Sequence, residues 1–245
     1  MPSPQTWLKR LIAALLERRG YRLERIESPT DPLFEELVEA RLRAAGDFFF
    51  VQIGANDGVS FDPLHPILVR HADRVRGLVV EPLRDKFELL RRTYAALPGV
   101  VPVNAAIHRS ERRMTLYRVD PARERRLPAW AKGIASFDPH HHERTRTAPG
   151  LIVAEEVDCL PLAELLERHG VDHVDVLVTD TEGYDYEIVS GLDFARLKPA
   201  LIHFEHGMPH GVMSPARFRA LAALLARNGY SLHVRYFDAL AFLPE

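Results

Sequence analysis

Glycines and polar side chains alternate directly after an apolar, strand-like run at residues 47–53. Gly54 and Gly58 enclose Asn56 and Asp57. Glycine lets the backbone turn sharply and lets a ligand or a helix come close, since it has no Cβ. The amide and the carboxylate between them can hydrogen-bond a polar group. In open α/β sheets, ligands bind beyond the carboxyl ends of the strands, so this turn predicts a ligand site.

A glutamate stands at the end of the next strand-like run. Glu81 follows Gly58 by 23 residues, and an acid at this distance is the usual partner of ribose hydroxyls. The dinucleotide fingerprint G-x-G-x-x-G needs a middle glycine to admit a pyrophosphate. The turn "GANDG" lacks that glycine. The pattern therefore favours a nucleoside ligand without phosphates over a dinucleotide.

Further acids and one histidine follow the later strand-like runs. Asp180, Glu182, Glu205 and His206 are candidates to remove a proton from a hydroxyl. His206 is suited to this because an unperturbed histidine has a pKa of about 6.5, although an edge histidine bonded to backbone is an equal alternative. Asp180, Glu205 and His206 could also bind a divalent cation, and such ligands suit magnesium or manganese better than zinc. We favour the metal-free arrangement.

The elements that position these residues alternate along the chain. Runs that are apolar on both faces predict parallel strands covered by helices, at residues 47–53, 76–81, 100–107, 174–180 and 200–206. Amphipathic or capped patterns predict helices at about 4–19, 31–45, 84–96, 160–170 and 214–229.

The remaining segments complete the predicted organisation. Two short strands around Phe237-Asp238 predict an antiparallel hairpin at the end of the chain. Residues 112–119 read as another strand, and the basic, histidine-rich stretch 120–150 reads as irregular. We expect one domain over residues 47–245, preceded by a helical extension over residues 1–46.

Composition excludes several classes of protein. The formal net charge of −2 gives no general attraction to nucleic acid, and no uninterrupted apolar stretch is long enough to predict a membrane span. The single cysteine, Cys159, excludes an intramolecular disulfide and a multi-cysteine zinc site. It fits a reducing compartment, so we expect a cytoplasmic protein. The apolar face of the helix at 4–19 predicts a packing or homodimer contact.

Five motifs occur in the order typical of one known family. The segments are "VQIGANDGVS", "VVEPL", "VNAAI", "GIASF" and "VDVLVTDTEGYDYEIVSGL". From about residue 48 to about residue 206 the chain resembles the FkbM-type methyltransferases, which depend on S-adenosylmethionine (SAM). The resemblance implies a class I methyltransferase fold, an α/β Rossmann-like fold with a mostly parallel seven-stranded sheet and an antiparallel last strand.

The same resemblance implies a set of cofactor-binding residues. It places the SAM pocket at the glycine turn, with Gly54, Ala55, Asn56, Asp57 and Gly58. It also implies that Glu81 holds the ribose, that Asn104 and Ala105 lie near the adenine, and that Asp180 lies near the methionine part and the acceptor. Ser136 matches the serine of the family's G-x-x-S stretch.

One residue departs from the family pattern. The family usually carries a lysine two residues before the aspartate Asp180, where this chain has Val178.

The resemblance implies O-methylation of a hydroxyl on a sugar, a glycan or a secondary metabolite, so the partner is a small-molecule or glycan acceptor. Nitrogen acceptors stay open. The alternatives are an NAD-type dinucleotide-dependent oxidoreductase and a SAM-binding module without turnover.

Three consecutive histidines lie in the irregular stretch. His140, His141 and His142 cannot all face one ion, and we interpret the segment as a solvated loop. A substrate lid that brings one of these histidines over the acceptor is the alternative.

Overall fold

The computed structural model describes residues 31–128 and 131–244. Its helices are α1 (Pro32–Ala44), α2 (His65–Arg70), α3 (Arg84–Thr93), α4 (His141–Arg144), α5 (Leu162–Arg168), α6 (Asp185–Ser190) and α7 (Pro215–Arg227). Its strands are β1 (Phe48–Ile53), β2 (Val75–Val80), β3 (Val100–Val103), β4 (Ala106–Ile107), β5 (Arg113–Val119), β6 (Ala135–Ser136), β7 (Ile152–Leu160), β8 (Val176–Thr179), β9 (Leu201–Glu205), β10 (Ser231–Val234) and β11 (Asp238–Phe242).

Seven of these strands form the main sheet, in the order β10-β11-β9-β8-β1-β2-β3. All neighbouring pairs are parallel except the two that β11 makes, with β10 and with β9. The predicted seven-stranded sheet with an antiparallel last strand is thus confirmed. The carboxyl ends of β1, β2, β8 and β9 meet at one edge, which brings their following loops together.

The central strand β1 is buried along its whole length. Side chains of a strand alternate between its two faces. Phe48 and Phe50 pack with the cluster that contains Phe34 of α1 and Leu90 of α3. Phe49 and its neighbours on the other face join the cluster formed with α5, α6 and α7. This two-sided burial explains why an uninterrupted apolar run marks the strand.

Side-chain hydrogen bonds hold helix α1 at its start and near its end. The Asp31 side chain caps it by accepting from Leu33 N at 3.0 Å, and Pro32 occupies the first turn. Near its end, Arg41 Nε donates to the buried Asp175 at 2.7 Å. The predicted helix at 4–19 lies outside the described residues. No helix in the described ranges is long and apolar enough to cross a membrane.

A second sheet contains four strands, in the order β4-β7-β5-β6. The predicted strand at 112–119 is confirmed as β5. Strand β7 was not predicted, because most of its residues are exposed or half-buried and two adjacent glutamates interrupt its apolar pattern. The predicted strand at 100–107 divides into β3 and β4, with Asn104 between them. The stretch predicted to be irregular contains the short elements β6 and α4.

Candidate active site

A cavity of about 1110 Å³ opens at the carboxyl edge of the main sheet. Among the residues predicted from the sequence, its lining includes Gly54, Ala55, Asn56, Glu81, Ala105, Asp180 and Glu205. The other predicted residues lie outside its lining: Asp57, Gly58, Asn104, Ser136 and His206.

At each of the two glycines of the turn, another segment of the chain comes too close for a Cβ. Gly54 has a φ of +79°, and a Cβ there would lie 1.8 Å from the carbonyl oxygen of Asp180. Gly58 has a φ of +76°, and a Cβ there would lie 2.8 Å from side-chain atoms of both Leu90 and Tyr94. Gly54 therefore admits the neighbouring strand end, and Gly58 admits helix α3 and the short turn after it.

Asp57 holds the turn together. Its Oδ1 accepts from Ser60 N at 2.7 Å and from Val59 N at 3.0 Å, and its Oδ2 accepts from Ser60 Oγ at 2.7 Å. Burial alone raises the pKa of Asp57, but these hydrogen bonds outweigh it and hold the pKa below its usual range. Asp57 shapes the loop and lies outside the cavity lining.

Glu81 is fixed by backbone groups on both of its oxygens. Its Oε2 accepts from Asn56 N at 2.8 Å and its Oε1 accepts from Leu83 N at 2.9 Å. Asn104 supports the same loop, since its Nδ2 donates to the carbonyl oxygens of Glu81 and Pro82. Burial raises the pKa of Glu81 to about 7. Each carboxylate oxygen keeps a second lone pair for a ligand.

An apolar wall adjoins Glu81. Leu83, Ala106 and Leu116 pack in one buried cluster and also line the cavity. Phe137 and Tyr184 line it as well, and their ring centroids are 5.3 Å apart in an edge-to-face arrangement. Such a wall can bury the planar face of a ligand ring.

Three carboxyl groups form the part of the cavity that we call the acidic floor: Asp180, Glu205 and Asp238. Asp238 lies directly opposite Glu205 in the antiparallel pair of β11 and β9, so their side chains are neighbours. Asp180 follows β8 and is open to the cavity although it lies deep at the sheet edge. Glu205 Oε2 is buried and has no hydrogen-bond partner among the described residues.

Burial and mutual repulsion perturb the acidic floor. Burial is the larger cause, and nearby carboxylates add to it, so the pKa values of Asp180 and Glu205 lie well above their usual range. Burial also raises the pKa of Asp238 to about 6. Asp238 can therefore exchange protons near neutral pH, and the shifts of Asp180 and Glu205 are in the same direction. Asp238 was missed in the sequence because only the strand register identifies it as the neighbour of Glu205.

His206 is turned away from the cavity. Its Nδ1 accepts from Met208 N at 3.2 Å, so Nε2 carries the proton and donates to Arg235 O at 3.2 Å. Its ring packs against Phe218 and is almost fully buried, and burial lowers its pKa. Both nitrogens are thus engaged with backbone. Its predicted role as a base stays a prediction, and we leave it out of the proposed mechanism.

The hydrogen bonds of His206 also matter for the metal site considered from the sequence. Within residues 31–128 and 131–244, no group of three or more His, Cys, Asp or Glu side chains is arranged to hold an ion. The set considered from the sequence was Asp180, Glu205 and His206, and His206 offers it no free nitrogen.

One wall of the cavity rests on Glu182. Ser136 Oγ donates to Glu182 O at 2.7 Å, and His141 Nε2 donates to Glu182 Oε2 at 2.8 Å.

The three consecutive histidines differ in exposure: His141 is buried, whereas His140 is exposed and His142 half-buried. The three histidines therefore have different environments, and the interpretation as a uniformly solvated loop is wrong for His141. Nothing in the sequence distinguishes His141 from its two neighbours.

Strand order, the glycine turn at β1 and the acid after β2 together define a class I methyltransferase. The model of the Methyltransferase FkbM domain matches residues 52–232, which is more than half of the chain. The protein therefore belongs to the FkbM methyltransferase family.

Three solved structures with a similar fold are distant in sequence. A putative O-methyltransferase from Klebsiella pneumoniae is 11% identical, with a TM-score of 0.47 over 100% of this chain and 92% of that chain. The human methyltransferase 10 domain containing protein is 12% identical, with a TM-score of 0.46 over 98% and 96%. Aeropyrum pernix fibrillarin with bound SAM is 12% identical, with a TM-score of 0.40 over 84% and 73%. The comparison with curated proteins gave no match.

Gly54→Ala should lower the melting temperature strongly and weaken ligand binding. The added Cβ overlaps the Asp180 carbonyl oxygen, and the positive φ adds strain. Gly46→Ala is the matched control, because nothing lies within 4 Å of its Cβ position. Thermal unfolding of both variants measures the difference, and equal melting temperatures would contradict the close approach.

Proposed function

We propose that the protein is a SAM-dependent methyltransferase that acts on a hydroxyl of a sugar, a glycan or a secondary metabolite. The observation that carries the proposal is Glu81, fixed at the cavity by Asn56 and Leu83 beside an apolar wall. Membership of the FkbM family supports the same reaction class.

The residues present fit SAM. The free lone pairs of Glu81 can accept both ribose hydroxyls, and Leu83, Ala106 and Leu116 can cover the adenine. Asn56 Oδ1 is buried without a partner among the described residues and is an acceptor for a donor on the ligand. In this assignment, Asp180 pairs with the ammonium group of the methionine part.

When bound, SAM supplies a methyl group on a positively charged sulfur. The chain's own contribution is to orient the acceptor and to take its proton. Repulsion from Asp180 is one cause of the raised pKa of Glu205, so ionisation of both carboxyl groups at once is disfavoured. In our proposal the ionised Glu205 accepts the hydroxyl proton, and Asp180 serves the cofactor side.

The turn disfavours the dinucleotide alternative. Asn56 stands where the fingerprint needs its middle glycine, in a left-handed conformation with a φ of +49°. Its amide also occupies the space beside Gly133, where a Cβ would lie 2.6 Å from Asn56 Nδ2. A pyrophosphate therefore has less room there than in an NAD-type oxidoreductase.

Binding of S-adenosylhomocysteine, SAM and NAD tests the proposal. We expect S-adenosylhomocysteine and SAM to raise the melting temperature and NAD to leave it unchanged, because only the first two lack a pyrophosphate. Thermal shift measures all three ligands. Stabilisation by NAD alone would overturn the proposal. Stabilisation by SAM without methyl transfer to any acceptor would indicate a binding module without turnover.

Affinity for S-adenosylhomocysteine should rise between pH 6 and pH 8. The pKa of Glu81 is raised to about 7, so its carboxylate, the form that accepts from both ribose hydroxyls, increases over this range. If binding requires that form, affinity at pH 6 is on the order of tenfold lower than at pH 8. Isothermal titration calorimetry measures this slope. Glu81→Gln should weaken binding and flatten the curve near pH 7, and a flat wild-type curve would argue against the assigned role.

Glu205→Gln should lower methyl transfer by about 100-fold or more, the contribution of a general base, and leave S-adenosylhomocysteine binding intact. The control is Glu167→Gln, an equal change at an exposed position of α5. Transfer is measured as product formed from SAM with an acceptor that the wild type methylates. An unchanged rate for Glu205→Gln would remove it as the base.

Three further predictions stay proposals. We propose that residues 47–245 form the methyltransferase domain behind a helical extension at 1–46. We also propose a cytoplasmic location, supported by the single cysteine, and a homodimer contact through the N-terminal helices. Since α1 buries Phe34 and Val38 in the core, the helix predicted at 4–19 is the element that would make this contact.

A further inference from the structure

Two arginines line the cavity without an ion-pair partner among the described residues: Arg146 and Arg235. We call them the basic rim, since both lie in loops beyond the strand ends that carry the acidic floor. The other cations of the lining differ, because Arg144 pairs with Asp138 and Lys86 pairs with Glu124. The basic rim therefore offers two guanidinium groups without an ion pair among the described residues, although the charge of Arg235 also acts on nearby Asp238.

Local structure constrains the backbone of both arginines. Arg146 has a φ of +55°, a left-handed conformation that is uncommon for a residue other than glycine and that recurs at ligand sites. Arg235 N donates to Asp238 O at 2.8 Å, and Arg235 O accepts from His206 Nε2. The hairpin turn thus fixes the start of the Arg235 side chain.

Charge changes sign between the acidic floor and the basic rim. Negative charge on Asp180 and Glu205 repels an anion and accepts hydrogen bonds from hydroxyls, whereas Arg146 and Arg235 attract an anion. A molecule that is anionic at one end and hydroxylated at the other is therefore favoured in the orientation that puts its anionic end at the arginines.

Two exposed aromatic residues lie at the same cavity. Phe61 is 55% exposed and Tyr236 is 59% exposed, and both contribute to the lining. Phe61 also has a positive φ, +60°. Exposed aromatic rings at a cavity mark a ligand contact, because their faces can cover a ring of the ligand.

We infer that the acceptor is a phosphorylated sugar, either a sugar phosphate or a nucleotide sugar, with its phosphate on Arg146 and Arg235 and a hydroxyl at the acidic floor. The guanidinium fork matches phosphate oxygens in pairs. The volume of about 1110 Å³ lies just above the roughly 300–1,000 Å³ of a pocket for one drug-sized ligand, so the cavity is large for a single ligand. This inference rests on the proposed function.

Calorimetry on the full chain with saturating S-adenosylhomocysteine tests the inference. The probes are pyrophosphate, glucose 6-phosphate, UDP-glucose and neutral glucose. We expect at least one phosphorylated probe to bind about tenfold or more tighter than glucose, and its affinity to fall with added salt. A preference between glucose 6-phosphate and UDP-glucose distinguishes a sugar phosphate from a nucleotide sugar, and either result supports the inference.

Variants of the basic rim supply the second arm. Arg146→Asn, which tolerates the left-handed backbone, and Arg235→Gln should each weaken binding of the phosphorylated probe by about tenfold, as expected for a charged hydrogen bond. Arg219→Gln on α7 is the matched control, since Arg219 is exposed and lies outside the lining. Binding of S-adenosylhomocysteine should stay unchanged in all three variants.

Three results would overturn the inference. The first is that no phosphorylated probe binds more tightly than glucose. The second is that Arg219→Gln weakens binding as much as the rim variants do. The third is that the rim variants bind S-adenosylhomocysteine more weakly, which would assign the arginines to the cofactor. If the wild type does not bind S-adenosylhomocysteine at all, the proposed function is refuted instead, so the two failures are distinguishable.

Discussion

The close approach of Gly54 to the Asp180 carbonyl oxygen sets the geometry of the site. A Cβ at residue 54 would lie 1.8 Å from that oxygen, so only glycine lets the loops after β1 and β8 touch. One loop continues to Asn56, whose N–H holds Glu81. The other continues to Glu182, which supports the wall through Ser136. Both sides of the cavity therefore depend on the absence of a Cβ at Gly54.

Electrostatics divides the cavity into regions with different tasks. Glu81 has both oxygens bound to backbone N–H groups and is a fixed acceptor. In the acidic floor, burial and, second to it, repulsion between carboxylates raise the pKa values. Carboxyl groups of one chemical type thus obtain different roles from their surroundings, one as a binding group and the others as groups that exchange protons.

The sequence predicted the strands of the main sheet because burial on both faces leaves uninterrupted apolar runs. It did not predict strand β7, whose exposed residues obscure the pattern. It located the glycine turn but not the contacts of each residue in it. Gly58 lies against α3, and the Asp57 side chain bonds to its own loop. The direction of His206 and the burial of His141 depend on contacts between distant segments, which spacing along the chain cannot encode.

Carboxyl groups lie close together in the acidic floor, and this favours their protonated forms. Burial and repulsion raise the pKa values of Asp180 and Glu205 well above their usual range, and that of Asp238 to about 6. A cation that settles among them favours their ionised forms, so its binding releases protons to the solvent. The heat of binding will then include the ionisation enthalpy of the buffer, and its variation from one buffer to another counts the protons released.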